Sequence, residues 1–406
     1  MFTDQLIASA SMLRLAVLVS AVLFAVCPAS ANPTLVIDVD SGAVLHADQA
    51  GVPWYPASLT KLMTAYVTFE RLRDDDTFTL KTKLKVSKAA SDQPASKMGV
   101  PKGSAVTVSR ALDALIIYSA NDIAVVLAEG VAGSIPTFVE RMNRTARRLG
   151  MTATTFKNPN GLPDDAQTTT ARDMAVLSRA LIVDFPEHAS IFANPVLKWG
   201  KRRLRARNSL LRTFSGTDGM KTGFICASGY NVVATATRDG KRLMAVVLGA
   251  SSGNFRSQIA AHLLETAFAR KALPLLEHET VTTLSNQAAR FVAPENLRPQ
   301  ICAKSGAHPK IAKQDDLEGW GALLAQSTSR KAANAALRNA LAALRGIIDH
   351  GTAAVVSNGG KEMASVLAGL SVDEALDICN HLAKAGMACT ALAPGELLTP
   401  KSANAI

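Results

Sequence analysis

At 406 residues the chain is too long for one ordinary core of roughly 100–200 residues, so at least two domains are expected. With 48% hydrophobic and 19% charged residues, disorder is excluded as its main description. A net charge of +11 points to an acidic partner, while an aromatic content of 5% argues against a nucleic-acid stacking surface.

Arg14 opens a largely apolar run from Leu15 to Val26. A bilayer span needs about 20 such residues, so this run fits the core of a signal peptide, and Ala29-Ser30-Ala31 supplies a small-x-small cleavage site. Residues 1–31 are therefore read as a removed leader, with an uncleaved anchor as the alternative, and the mature chain is expected to start at Asn32 and be exported. Cys27 falls inside the leader. Export to an oxidising compartment makes Cys226, Cys302, Cys379 and Cys389 disulfide candidates.

Thr34 to Asp38 predicts a short strand, Asp40-Ser-Gly a turn, and Ala43 to Ala47 the return strand. Beyond Pro56, Ser58 to Leu72 predicts a helix, with Leu59, Leu62, Met63, Tyr66 and Phe69 at helical spacing. Ala111 to Val131 reads as one long apolar helical region at the centre of a domain. Tyr230 to Thr237 and Lys241 to Gly249, joined by Arg-Asp-Gly, predict a β-hairpin, and Gln258 to Arg270 a helix. The fold class is α+β, an antiparallel sheet flanked by helices, and this domain is assigned to residues 32–272.

Residues 273–316, with Pro274, Pro294, Pro299 and Pro309, form either a linker or a small strand-bearing segment. From residue 317 to 394 the pattern predicts a compact βαββαβ module. Its strands are Trp320–Ala325, Ala353–Ser357, Glu362–Leu367 and Ala388–Leu392, and its helices Ser329–Ile347 and Val372–Ala385. The tail, 395–406, is expected to be disordered.

Three short motifs carry chemistry. In Ser58-Leu-Thr-Lys61 the serine and lysine share one helix face, so the amine can reach the hydroxyl. The amine is a base only when uncharged, and burial beside another cation provides that. Ser119-Ala-Asn121 places a hydroxyl and an amide inside an apolar run, where they need hydrogen-bond partners. Lys221-Thr-Gly223 precedes a strand-rich stretch; glycine permits close approach to the strand, and Lys and Thr present donors to an anion. Singly these are a helix start, a capped or satisfied polar pair and a turn. In this order they match the SxxK, SxN, KTG set of penicillin-binding proteins and class A β-lactamases, with Ala120 where that set has Asp.

From about Pro33 to Phe268 the chain resembles the low-molecular-mass penicillin-binding proteins, serine-type D-alanyl-D-alanine carboxypeptidases. The likeness extends to Phe156-Lys-Asn-Pro-Asn-Gly-Leu162, Thr170-Ala-Arg-Asp-Met174, Asp218-Gly-Met-Lys-Thr-Gly223 and Ala227-Ser-Gly-Tyr-Asn231. It implies a β-lactamase/transpeptidase-like domain with a mainly helical subdomain. It further implies that Ser58 attacks the penultimate D-alanine of a peptidoglycan stem peptide, that Lys61 takes its proton, and that Ser119 and Asn121 relay and orient. Lys221, Thr222 and Gly223 would hold the terminal carboxylate beside Arg256. Ser58 and Phe224, which stands where the family often has histidine, would supply oxyanion amides. Arg207 and Asn208 are placed near the groove, and β-lactam antibiotics become covalent inhibitors. The implied location is periplasmic and cell-wall associated. The basic run Lys198–Arg212 is a solvated face or a rim for anionic cell-wall strands. Cys226 is read as a buried structural thiol. Seven histidines show no ligand spacing, so neither metal nor cofactor is inferred.

The module at 317–394 resembles a SPOR domain, on Gly319-Trp-Gly-Ala-Leu-Leu-Ala-Gln and Cys379-Asn-His-Leu-Ala-Lys-Ala-Gly-Met-Ala-Cys389. This implies binding to denuded glycan strands. Met363 and Ala364 stand where the family often carries an aromatic and an arginine, which implies weakened or lost affinity. Cys379 and Cys389 could pair. Rival readings use the same triplet: a D,D-endopeptidase, a β-lactamase, or a catalytically idle glycan-binding protein. The β-lactamase reading lacks its deacylating glutamate, since Thr155 stands at that place.

Overall fold

The computed structural model describes residues 32–269, 279–286, 292–302, 320–344, 347–348, 350–357 and 363–392. The expected leader with Cys27, the tail, and Pro274 and Pro309 of the intervening segment lie outside the described residues.

Strands β1 (Thr34–Asp38), β2 (Val44–Asp48), β3 (Thr217–Ile225), β4 (Gly229–Arg238) and β5 (Lys241–Ala250) form an antiparallel sheet in the order β2-β1-β5-β4-β3. Their near-continuous apolar sequences follow from burial of both faces. On one face Leu35, Ile37, Val233, Met244 and Val246 join the main core; on the other Val36, Val232, Ala234, Ala245 and Val247 pack with Ala260 and Leu264 of a C-terminal helix. The β4–β5 hairpin closes through Asp239 and Gly240, at φ +49° and +76°. Left-handed backbone at both positions gives the turn a twist that matches the strands.

Helix α4 (Ala171–Asp184) lies against the first face, and α1 (Thr60–Asp74), α2 (Asn121–Ala132) and α3 (Ile135–Arg148) pack beyond it in the same core. The C-terminal helix α5 (Gly253–Phe268) covers the other face. Ser134, Thr170 and Ser252 cap α3, α4 and α5 by accepting the backbone N–H three residues on, at 3.2, 3.0 and 3.0 Å. Among the described residues no single helix is long and apolar enough to cross a membrane.

Three elements differ from expectation. Ser58 sits in a 3-10 turn, Ala57–Leu59, and the α-helix proper begins at Thr60. The apolar region Ala111–Val131 is not one helix. A helix over Val108–Asp113 widens into a π-turn over Ala114–Tyr118, then stops at Ser119, whose φ is +66°, before α2 restarts. Helix α5 begins at Gly253 rather than Gln258, which brings Arg256 into its first turn.

The chain beyond α5 returns to this fold. Val44 N–H donates to Glu279 O at 3.0 Å, Val281 N–H to Gly42 O at 2.9 Å, and Leu297 N–H to Ala227 O at 3.0 Å. Cys302 is disulfide-bonded to Cys226, with Cα atoms 5.5 Å apart. Cys226 is therefore not a thiol. Its partner lies in a proline-bearing segment whose sequence carries no packing pattern.

A second unit contains β6 (Trp320–Ser327), α6 (Arg330–Ala343), β7 (Thr352–Ser357), β8 (Met363–Leu370), α7 (Val372–Lys384) and β9 (Thr390–Leu392). The order is βαββαβ, and the antiparallel sheet runs β7-β8-β6-β9. Both helices pack on one face, with Ala322, Leu324, Leu337, Leu367, Ile378 and Leu382 in the shared core. Ser371 and Glu374 form a capping box at the start of α7, and Cys379 is disulfide-bonded to Cys389.

Candidate active site

The three motifs come from a helix entry, a helix break and a sheet edge, and they meet in one cleft of about 680 Å³. Lys61, fully buried in the first turn of α1, donates to Ser58 Oγ at 3.0 Å, Asn121 Oδ1 at 2.8 Å and Asn160 O at 2.5 Å. All three of its hydrogens thus have acceptors. Burial drives its pKa from 10.5 down to about 7, against an opposing pull from the Asp122 carboxylate. A large share of the amine is therefore free base at neutral pH.

Ser119 stands at the break before α2, where the left-handed backbone turns its hydroxyl into the cleft. Lys221 Nζ donates to Ser119 Oγ at 2.9 Å and to Thr222 O at 2.7 Å. The Lys221 amine is also pushed well below its ordinary pKa, first by burial and then by the charges of Lys61, Arg256 and Arg207. Asn121 does more than touch Lys61: its N–H donates to Ser96 O at 2.8 Å and its Nδ2 to Pro94 O at 3.0 Å. Asp122 accepts from Met98 and Gly99 N–H at 3.0 and 2.9 Å. The second motif thus fixes the loop that forms one wall.

Strand β3 is the outer strand of its sheet, and its unpaired edge faces the cleft. A Cβ on Gly223 would lie 2.9 Å from Pro56 O and 3.1 Å from Ser58 N, so glycine lets β3 press against the serine turn. Gly161 is needed on the opposite side: at φ +80°, a Cβ there would lie 1.9 Å from Ala57 O. Asn231 of β4 binds the serine turn from behind, donating to Tyr55 O at 3.0 Å and Pro56 O at 3.3 Å.

Thr222, Gly223, Phe224, Arg207 and Arg256 all line the cleft. Arg256 is buried, and its Nε has no hydrogen-bond partner among the described residues. Burial lowers its pKa to about 10. Arg207 donates to Ser96 Oγ at 3.2 Å and covers the Tyr118 ring at 4.8 Å. Asn208 lies just behind, donating to Gly219 O at 2.8 Å. Phe224 projects outward, 42% exposed, its ring 4.3 Å from that of Tyr230. Much of the basic run Lys198–Arg212 lies on a two-stranded ribbon, Val196–Trp199 with Arg202–Arg205, whose arginines are exposed.

Sequence reasoning did not assign roles to Asn160, whose contribution is a main-chain carbonyl, or to Arg298, which lines the cleft from the segment ending at Cys302. Among the described residues no cluster of three or more His, Cys, Asp or Glu side chains could hold a metal.

The arrangement of serine, buried amine and cationic strand edge makes this cleft a candidate serine acyl-transfer site on an α+β penicillin-binding-protein fold. The comparisons show the family. Residues 24–252, more than half of the chain, match the model of peptidase family S11, D-alanyl-D-alanine carboxypeptidase, and the chain belongs to that family. It is 40% identical over 245 residues to D-alanyl-D-alanine carboxypeptidase DacC of Escherichia coli, covering 59% of this chain and 61% of the relative. The chain thus spans about three-fifths of that relative's length. Penicillin binding protein 5 from Haemophilus influenzae superposes with a TM-score of 0.57 at 35% identity, covering 59% of this chain and 71% of that one. Penicillin-Binding Protein D2 from Listeria monocytogenes, in its cefotaxime-bound form, superposes with a TM-score of 0.54 at 33% identity, covering 59% and 97%.

Proposed function

We propose that this protein is an exported, periplasmic serine-type D-alanyl-D-alanine carboxypeptidase that trims the terminal D-alanine from peptidoglycan stem pentapeptides. The observation that carries this reading is the fully buried, partly uncharged Lys61 amine, 3.0 Å from the Ser58 hydroxyl. Lys61 takes the Ser58 proton as Oγ attacks the penultimate carbonyl, and the backbone amides of Ser58 and Phe224 stabilise the oxyanion. Removing one such donor typically costs about 3–4 kcal/mol. Ser119, which accepts from Lys221, gives its proton to the departing D-alanine nitrogen and takes back the one held by Lys61, which returns that amine to its free base. Water then hydrolyses the acyl-enzyme.

The terminal carboxylate lies between Lys221, Thr222 and Arg256. That end of the cleft suits an anion, because among the described residues the two buried cations there have no carboxylate on the wall beside them. β-Lactams, which carry a carboxylate beside a reactive carbonyl, acylate the same serine; the cefotaxime-bound and ampicillin-bound relatives support this.

The second unit is proposed to be SPOR-like. Its sheet face away from the helices holds Leu323, Ala354, Val356, Ala364, Val366, Ala368 and Leu392, all apolar and buried. Ala364 sits near the start of β8 on this face, without the aromatic or arginine a glycan platform would use, which favours a packing surface over a glycan-binding one.

Fluorescent penicillin should label the purified protein, and D-alanine should be released from a pentapeptide; Ser58→Ala should abolish both. Folded protein that takes no label would overturn the assignment. Release of cross-linked dimer products without D-alanine would shift it to an endopeptidase.

A further inference from the structure

Among the described residues, three guanidinium groups, from Arg207, Arg256 and Arg298, line the cleft, and no carboxylate does. Arg256 and Arg207 stand near Lys221, whose amine their charges depress. Arg298 belongs to the other end. Leu297 N–H is held by Ala227 O at 3.0 Å in the turn after β3, and four residues past Arg298 the disulfide fastens Cys302 to Cys226. Hydrogen bond and disulfide together bring an exposed arginine to the cleft beside the C-terminal end of β3.

The free edge of β3 sets the direction of a bound peptide. A peptide added antiparallel to β3, with its terminal carboxylate at Lys221 and Thr222, extends upstream past Phe224 toward Ile225 and Cys226. The serine turn opposes Gly223. At about 3.4 Å per residue, the level of Cys226 is reached three residues before the acylated one, and Ile225, which lines the cleft with it, lies at the level of the second. We propose that Arg298 determines specificity by binding a second carboxylate of the substrate peptide, carried two or three residues upstream of the residue acylated on Ser58. A planar guanidinium fork suits a carboxylate, whereas an amide or ammonium at that place gains nothing from it. This rests on the acyl-transfer reading above.

The test uses the mature full chain and two peptides ending in D-alanyl-D-alanine, identical except that the upstream side chain carries a free carboxylate or its amide. Wild type should prefer the carboxylate peptide by about three- to tenfold in kcat/KM, as expected for a partly exposed charge-assisted contact. The preference should reside in KM. Arg298→Gln should bring the ratio close to one, and Arg298→Lys should retain part of it. Equal use of both peptides by wild type, or an unchanged ratio in Arg298→Gln, overturns the proposal.

Binding of both peptides to Ser58→Ala and to Ser58→Ala/Arg298→Gln, by calorimetry, separates this inference from the one beneath it. If neither peptide is turned over but binding shows the Arg298-dependent contrast, the carboxypeptidase assignment falls and Arg298 keeps its role. If turnover occurs and the contrast is missing from binding and rate alike, the reverse holds.

Discussion

Between Thr34 and Ser257 the interior holds Lys61, Asp122, Arg172, Asp173, Lys221 and Arg256, whereas between Trp320 and Leu392 the one buried polar side chain among the described residues is Ser365. Ser365 is fully satisfied, its hydroxyl donating to Ala333 O at 2.8 Å. In the first region the charges divide into two kinds. Arg172 and Asp173 pair at 3.0 Å, and Asp122 accepts backbone N–H groups, so these are offset within the fold. Lys61, Lys221 and Arg256 are not offset by a contacting carboxylate, and a buried charge in that condition costs several kcal/mol or loses its proton. The contrast teaches that Lys221 and Arg256, buried without a contacting carboxylate, suit an anion entering the cleft, while the second region is built for packing.

Replacing the amine is the hardest test of that contrast. Lys61→Met should slow acylation of Ser58 by about 10²–10⁴-fold, the usual contribution of a positioned base. Its melting temperature should fall only modestly, because relief of the buried amine offsets the hydrogen bonds lost at Asn121 Oδ1 and Asn160 O. A large loss of stability would show that Lys61 is structural. In wild type, kcat/KM should rise with pH through about 7, where the amine loses its proton. Below that midpoint the ammonium has no lone pair to accept from Ser58, so a rate that falls on raising the pH would contradict the role given to Lys61.

Gly161→Ala comes next. Its Cβ would strike Ala57 O and displace both the serine turn and the neighbouring Asn160 carbonyl. A displacement of about 1 Å at a reacting group can cost about 10²-fold, read here as penicillin acylation rate. In the second region, Leu337→Ala should destabilise that unit by about 2–5 kcal/mol, measured by denaturant unfolding. Labelling of Ser58 should stay within about twofold, by analogy with the weak coupling of mutations that share no partners. Parallel loss of both would break the comparison by making the two cores one energetic unit. The smallest effect is expected from Ser371→Ala, which removes the α7 capping box for about 1 kcal/mol.

Much of the fold and of the candidate site was legible because its signals are local. The Asp-Gly turn, the two-faced strands and each of the three motifs depend on side chains within a few positions of one another. The βαββαβ order of the second unit was readable for the same reason. What escaped notice depends on distant partners. Ala111–Val131 reads as one helix because every turn of it is apolar, and nothing local announces that Lys221 needs Ser119 in a left-handed bend. The Asn160 carbonyl carries no side-chain signal at all. Cys226 looked like an isolated thiol because its partner sits 76 residues away. Arg298 was hidden by the same segment, since its position depends on that covalent link rather than on any periodicity.

That link has a consequence for handling the protein. A single proteolytic nick anywhere between Cys226 and Cys302 leaves both fragments joined, so clipped material migrates as intact on a non-reducing gel and separates only with reductant. A preparation can thus be cut downstream of α5 and still hold its arginine at the mouth of the cleft, until a thiol is added to the buffer.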